Sequence, residues 1–177
     1  MKYLNKIKRL CDKVDVKQVE RVIKILEKKL KDGKTIFVCG NGGSAATASH
    51  MVCDLVKTSD KPFRVFCLND NVPLMTAIAN DVDYRCAFAL QLAHLAHKGD
   101  LLIVISGSGS SDNIIEVAEV AVSIGMKTVA FLGKGGGEVK DLVDDYILVP
   151  SDEYGPIEDF HMILVHLITE HFYEDQH

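Results

Sequence analysis

Short apolar runs recur along the chain, and stretches with helical periodicity separate most of them. Apolar runs bounded by turn residues are typical of buried strands, whereas apolar positions three and four residues apart indicate a helix face. Strands are predicted for residues 35–39, 63–68, 101–105, 128–132 and 146–149. Helices are predicted for residues 44–57, 84–97, 113–124 and 138–143. This alternation predicts an α/β fold, a three-layer αβα sandwich around a five-stranded parallel sheet.

Two further helices flank this alternating unit. Between Asp15 and Gly33, apolar residues recur at three- and four-residue spacings with charged residues between them, which predicts an N-terminal helix. Pro156 suits the first turn of a long C-terminal helix that we expect to run to about Tyr173. The chain of 177 residues, without a linker or repeat, then fits a single domain. The glycine-rich residues 133–138 are expected to form a mobile loop.

Charge and cysteine content limit the classes of function. Twenty Lys and Arg against 25 Asp and Glu give a net charge of -5 without a long basic run, which argues against nucleic acid as a partner. The start MKYLNKIKRL mixes charges with apolar residues, so we expect no membrane association and a cytoplasmic protein. The five cysteines are scattered without a C-x-x-C pair and are expected to be reduced.

Two loops at predicted strand ends have the composition of a phosphate site. Residues 40–45, the glycine loop, read GNGGSA. Small residues there let the backbone approach a ligand, and the helix that follows offers free N–H groups. Residues 106–112, the serine loop, read SGSGSSD and add hydroxyl donors. Ligands of doubly wound sheets bind at such strand ends. Either loop could be a plain tight turn, but two at corresponding strand exits favour a phosphate ester.

A nucleotide is a weaker alternative ligand. Gly40, Gly42 and Ala45 satisfy the G-x-G-x-x-A form of a dinucleotide fingerprint, but the acidic partner is missing because Asp70 comes late for that role. The chain also lacks the G-x-x-x-x-G-K-[ST] loop that holds nucleoside triphosphates. The composition of the two loops therefore favours a small sugar phosphate.

Ionisable residues cluster on two predicted helices. His50 and Asp54 face the same way at i, i+4 spacing one turn beyond the glycine loop, and the last helix carries Glu158, His161 and His166. Imidazole and carboxylate together serve either proton transfer beside a carbonyl or ligation of a divalent metal. The alternative is a surface ion pair without chemistry.

Five runs of the sequence are distinctive together: CGNGGSAATASHMVCDL, IANDVDY, VISGSGSSDNIIEVAEVA, FLGKGGGEVKDLVDDYILVP and, on the last helix, EDFHMILVH. In these runs the sequence resembles the sugar isomerase (SIS) family and, within it, the bacterial phosphoheptose isomerases. The likeness covers nearly the whole chain and implies an SIS-type, flavodoxin-like fold. It also implies an aldose-ketose isomerase that converts sedoheptulose 7-phosphate to D-glycero-D-manno-heptose 7-phosphate through an enediol, for lipopolysaccharide or capsule. The alternative is a non-catalytic SIS module that binds a sugar phosphate or a partner protein.

The resemblance also implies the residues of the site. It implies a divalent metal, typically zinc at one per subunit, at His50, Asp54, Glu158 and His166. Such ligands would equally accept manganese, iron or nickel. Our leading hypothesis for catalysis is that Asp54 is the base or a metal-bound base partner and that His166 is the opposing acid. Substrate contacts are implied at Asn41, Gly42, Gly43, Asp54, Asn80, Asp81, Ser106, Gly107, Ser108, Ser111 and Glu158.

Three positions depart from the family pattern. Asp54 stands where the family usually has Glu and is one methylene shorter, and Glu158 stands where it usually has glutamine. Gly107 replaces a hydroxyl-bearing threonine of the serine loop. These departures bear on the substrate and the efficiency of the reaction more than on the fold.

The family resemblance implies a homotetramer, with residues 1–33 used in oligomer packing. Glu158 and His166 are eight residues apart, which on a straight helix is a rise of about 12 Å, so one metal could reach both only with difficulty. We therefore expect the last helix of one chain to lend His166 to a site formed by another chain's His50 and Asp54.

Overall fold

The computed structural model of the protein describes residues 1–59 and 61–173, and its strands form one parallel sheet. The strands are β1 (Thr35–Gly40), β2 (Arg64–Cys67), β3 (Leu101–Ser106), β4 (Lys127–Leu132) and β5 (Asp145–Leu148). Their order in the sheet is β2-β1-β3-β4-β5, and every neighbouring pair is parallel. All five predicted strands are thus confirmed, with ends shifted by a single residue.

Helices connect the strands and cover both faces of the sheet. They are α1 (Lys2–Cys11), α2 (Val16–Lys31), α3 (Gly43–Cys53), α4 (Val72–Asp81), α5 (Ala89–Leu95), α6 (Asp112–Ile124), α7 (Val139–Leu142) and α8 (Tyr154–Glu170). A π-helical turn, Asp54–Thr58, continues α3, and short 3-10 helices span Tyr84–Cys86 and Lys134–Gly136. Within the described residues, no helix is both long and apolar enough to cross a membrane.

The sequence-based prediction missed α4 and misjudged the segment after it. Asn71 caps α4 by accepting a hydrogen bond from the backbone of Leu74, and Pro73 lies in the first turn. These are ordinary start signals, but the helix carries apolar residues on its exposed side, so it shows no amphipathic period. The helix predicted for residues 84–97 is split into the 3-10 helix and α5, because Asp83 caps a separate short turn.

Alternate residues of the central strands feed two apolar clusters, one on each face of the sheet. Ile36 and Val38 face the side covered by α2, α3 and α8, whereas Phe37 and Cys39 face α5 and α6. This arrangement confirms the three-layer sandwich. The apolar faces of α2 and α8 are buried inside their own chain.

The glycine-rich residues 133–138 do not extend as a loose loop. An added Cβ at Gly109 would lie 1.8 Å from the carbonyl oxygen of Gly136, and the amide of Val139 donates to the carbonyl of Gly109 at 3.0 Å. The segment therefore packs backbone to backbone against the serine loop that follows β3.

His161 is a buried imidazole within the apolar layer under α8. It is fully buried, its ring lies 6.2 Å from that of Phe131, and neither ring nitrogen has a hydrogen-bond partner among the described residues. Burial lowers the pKa of His161 to about 4, against a smaller opposing effect of the Leu132 backbone. The folded protein therefore holds His161 neutral.

We predict that His161 makes folding depend on pH. The unfolded chain binds a proton on this residue below its usual pKa of about 6.5, so the free energy of unfolding should fall between about pH 6.5 and pH 4, by up to about 3 kcal/mol. Denaturant unfolding at several pH values measures this slope. His161→Leu should flatten it and His97→Gln, at an exposed histidine, should not; equal slopes for His161→Leu and the parent protein would contradict the assignment.

Candidate active site

The loops that leave β1 and β3 lie side by side and enclose a cavity with the start of α8. The two strands are neighbours in the sheet, with Gly40 opposite Ile105 at their ends. The cavity has a volume of about 240 Å³ and is lined by Asn41, Gly42, Gly43, Ser44, Ile105, Ser106, Gly107, Ser108, Ser111, Tyr154 and Glu158. The structure thus brings together eight of the predicted substrate contacts: Asn41, Gly42, Gly43, Ser106, Gly107, Ser108, Ser111 and Glu158.

Two glycines of the first loop are required by close approach. A Cβ on Gly40 would lie 2.7 Å from the carbonyl oxygen of Ser44 and 2.8 Å from that of Ile105, so a side chain there would push the two loops apart. A Cβ on Gly43 would lie 2.7 Å from Oε2 of Glu158. The missing side chains allow the first turn of α3 to meet both β3 and α8.

The side chain of Asn41 is held by a hydrogen-bond network that sequence reasoning missed. Asn41 and Asn113 donate to each other's side-chain oxygens at 2.8 and 2.9 Å, and the Tyr84 hydroxyl donates to Oδ1 of Asn41 at 2.9 Å. Asn113 is 3% exposed, so its amide is buried with these partners. One feature of the sequence could have indicated this network: Asn113 lies at the start of α6, directly after the serine loop.

The cavity suits an anion but contains no basic side chain. Of its lining residues only Glu158 is charged at neutral pH. The N-terminal ends of α3, beginning at Gly43, and of α6, beginning at Asp112, lie at the cavity, and the partial positive charge of a helix N-terminus favours an anion. Serine hydroxyls add donors, so neutral groups and partial charges would hold a phosphate.

His50, Asp54 and His166 converge outside the cavity, between α3 and α8. The Nε2 atoms of His50 and His166 are 3.0 Å apart. Oδ2 of Asp54 lies 3.4 Å from Nε2 of His50 and 3.9 Å from Nε2 of His166. In a tetrahedral zinc site with bonds of about 2.0–2.2 Å, ligand atoms lie about 3.3–3.6 Å apart. The three atoms are therefore spaced as ligands of one divalent ion, and the residues fit the metal that the family resemblance implies.

One chain supplies all three residues, which corrects the expectation that His166 comes from a neighbouring subunit. Because α3 and α8 pack against each other, His166 reaches His50 within the chain. Glu158 does not join this group, although it was expected as a fourth ligand. It lies eight residues earlier on α8, about 12 Å along the axis, and points at Gly43 in the cavity instead.

Asp54 is the most protected member of the group and lies where α3 changes geometry. Its side chain is 13% exposed, against 43% for His50 and 57% for His166. Asp54 begins the π-helical turn, and its carbonyl accepts a hydrogen bond from the amide of Ser59 at 3.0 Å. Such turns occur frequently at functional sites.

Asn80 and Asp81 are not brought into the cavity. Both are exposed at the end of α4, where the Asn80 amide donates to the Asp81 carboxylate at 2.7 Å. An adjoining cavity of about 300 Å³ is lined by Asp83, two residues after Asp81 in the chain, and shares Asn41 and Ser111 with the first cavity. The substrate contact implied for this pair stays a prediction.

An apolar groove lies away from these groups and is larger than the two polar cavities. Its volume is about 770 Å³, and it lies beside the edge strand β2, between α4 and α5. Its walls include Val65, Phe66, Leu74, Ile78, Leu90 and Leu95. The groove lacks the polar loops and the His50 group, so we assign the chemistry to the smaller cavity and its neighbours.

Comparison with known proteins agrees with this geometry. A sequence model of the SIS domain matches residues 2–133. The phosphoheptose isomerase of Akkermansia muciniphila is 39% identical over 155 residues, which span 86% of this chain and 82% of that protein.

Solved structures give the same result. A phosphoheptose isomerase from Francisella tularensis superimposes with a TM-score of 0.82 at 31% identity, covering 86% of this chain and 83% of that one. The phosphoheptose isomerase from Neisseria gonorrhoeae gives a TM-score of 0.90 at 27% identity, covering 96% and 94%. The chain therefore belongs to the SIS domain family and, within it, to the phosphoheptose isomerases.

Proposed function

We propose that this protein is an isomerase that interconverts sedoheptulose 7-phosphate and D-glycero-D-manno-heptose 7-phosphate. The observation that carries the proposal is that one chain holds both a phosphate-suited cavity and, beside it, a histidine-carboxylate group suited to proton transfer. The relatives named phosphoheptose isomerase support the same substrate. The product would supply heptose for lipopolysaccharide or capsule.

The distance between the cavity and the group of His50, Asp54 and His166 suits a seven-carbon sugar phosphate. Gly43 and His50 are seven residues apart on α3, which is about 10 Å along the helix axis. An extended chain advances about 3.4 Å for every three bonds, so the eight bonds from C1 to the phosphorus of a heptose 7-phosphate span about 9 Å. With the phosphate in the cavity beside Gly43, the carbonyl end would reach His50.

The reaction needs a base and an acid at the carbonyl end. In the proposal Asp54 removes a proton from C1 of the ketose while the carbonyl oxygen at C2 gains one, which gives an enediol. A proton then returns to C2 while the hydroxyl at C1 loses its proton, which gives the aldose. With no ion bound, His166 serves as the acid, because its Nε2 lies 3.9 Å from Oδ2 of Asp54. An ion bound to that nitrogen would exclude this role and leave Asp54 as a metal-bound base partner. The low exposure of Asp54 limits competition from water.

A divalent metal, most simply zinc at one per chain, belongs to the proposal. His50, Asp54 and His166 would hold it, with a fourth position left for substrate or water. When bound, such an ion polarises a carbonyl or enediol oxygen. The shorter side chain of Asp54, compared with Glu, is accommodated because His50 and His166 lie within 4.0 Å of it.

The assembly and location are also proposals. The apolar groove beside β2 exposes Phe66 and Leu95 by more than half, which supports burial against further copies in a homotetramer. The described cysteines are all free of disulfides, as in a cytoplasmic protein. Residues 1–33 remain candidates for subunit packing through the exposed side of α1.

The first prediction concerns the base. Asp54→Asn keeps the size and one oxygen of the side chain but removes its basicity, so kcat for aldose formation from sedoheptulose 7-phosphate should fall at least about 100-fold. Asp70→Asn is the matched control, because Asp70 accepts a hydrogen bond from Ser49 and lies outside the site. Unmodified protein that binds the sugar phosphate without any turnover would instead identify a non-catalytic module.

The second prediction concerns the serine loop. A hydrogen bond to a charged group contributes about 1.5–3 kcal/mol, so Ser108→Ala should raise KM for the sugar phosphate about ten-fold. Ser123→Ala, which removes a hydroxyl bonded to Val120 within α6, should leave KM unchanged. If both variants bind substrate like the parent protein, the loop after β3 is only a turn.

The third prediction concerns the metal ligands. Elemental analysis of protein purified without chelator should find about one divalent ion per chain, and His50→Ala and His166→Ala should each lose most of it. Glu158→Gln should retain the ion, because Glu158 lies outside the group. Loss of metal from Glu158→Gln with retention in both histidine variants would place the ion in the cavity instead.

A further inference from the structure

The negative charge of the proposed substrate is not matched by a positively charged side chain in the cavity. A sugar phosphate carries up to two negative charges at neutral pH. The cavity offers serine hydroxyls, backbone N–H groups and helix N-termini, but its lining has no Lys or Arg and includes the acidic Glu158. A basic side chain within reach of the cavity would offset this excess of negative charge.

Lys134 is a cation in contact with a residue that lines this cavity. Its Nζ lies 3.5 Å from the ring centroid of Tyr154, which lines the cavity. The same ring packs against the serine loop, because a Cβ added to Gly107 would lie 3.0 Å from Cδ1 of Tyr154. Tyr154 thus contacts both the ammonium group of Lys134 and the loop that would hold the phosphate.

The backbone of Lys134 is unusual for a lysine. Its φ of 46° makes it the single non-glycine residue with positive φ in the described part of the chain. Its neighbours Gly133 and Gly135 are glycines, and its amide donates to the carbonyl of Ser151 at 3.0 Å. Glycine or asparagine would adopt this conformation with less strain, so the backbone gives no reason for a lysine here.

We propose that Lys134 is a further substrate-binding residue, which moves from the Tyr154 ring to the phosphate of the sugar phosphate. A cation resting on a partly exposed ring is held more weakly than a cation hydrogen-bonded to a phosphate, so the exchange favours the ligand. The lysine stem is long and flexible enough to move without a change in the backbone. This inference rests on the proposed function for the identity of the ligand.

Arg85 is the rival source of positive charge. It lines the adjoining cavity that shares Asn41 and Ser111 with the first. However, its Nε already lies 3.8 Å from the carboxylate of Glu116, and its side chain is 58% exposed. Among the described residues Lys134 has an aromatic contact and no ion pair, and its ammonium group lies against Tyr154, which lines the cavity.

The experiment separates the charge of Lys134 from its backbone. Lys134→Asn and Lys134→Gly both remove the charge at a position where the new residue tolerates positive φ, and Lys134→Arg keeps the charge. We expect both neutral variants to raise KM for sedoheptulose 7-phosphate and the inhibition constant of inorganic phosphate about ten-fold, with little change in kcat. Their thermal midpoints should be equal to or above that of the parent protein, and Lys134→Arg should retain most of the affinity.

Lys98→Asn is the control for loss of a surface charge, because Lys98 precedes β3 at the opposite end of the sheet, and it should change neither constant. The proposal is overturned if the neutral Lys134 variants bind phosphate like the parent protein, or if Arg85→Gln alone causes the loss. Should the parent protein bind phosphate without turnover, the proposed function fails while calorimetric titration with phosphate still tests Lys134. A parent protein that binds no phosphate overturns both.

Discussion

The parallel pairing of β1 with β3 is the constraint on which the rest of the site depends. These strands are not consecutive in the chain, yet their pairing places Gly40 opposite Ile105 and brings two loops together at one edge of the sheet. Close backbone contact then continues outward, from Gly40 against Ser44 to Gly109 against Gly136. Because parallel strands point their carboxyl ends the same way, loops far apart in sequence become the two walls of one cavity.

The packing of α3 against α8 sets the second half of the site. Both helices begin at the cavity, with Gly43 facing Glu158, and both run away from it to the place where His50 meets His166. Their buried faces belong to the same apolar cluster, through Met51 and Leu164, so the separation between the cavity and the histidines is held by core packing. A rigid separation of this kind favours ligands of one length.

Electrostatics in this protein is local rather than a property of the whole chain. The net charge of -5 says little about a cavity in which hydroxyls, helix N-termini and one carboxylate determine the field. Burial acts in the same local way on His161, which shares α8 with His166 but lies inside the core and stays neutral. His161 and His166 thus differ in burial, because the side chain of His161 faces the core and that of His166 faces α3.

The sequence alone determined the strands, the α/β class and the composition of the loops, because apolar runs and glycine-serine turns are local signals. It did not reveal α4, whose exposed apolar residues hide the helical period, nor the Asn41–Asn113–Tyr84 network, which joins three separate segments. It grouped Glu158 with His166, since spacing on one helix cannot show which partner each side chain faces. Only the tertiary structure separated these two residues and joined His166 to Asp54 within one chain, because contacts between α3 and α8 arise from packing across the fold.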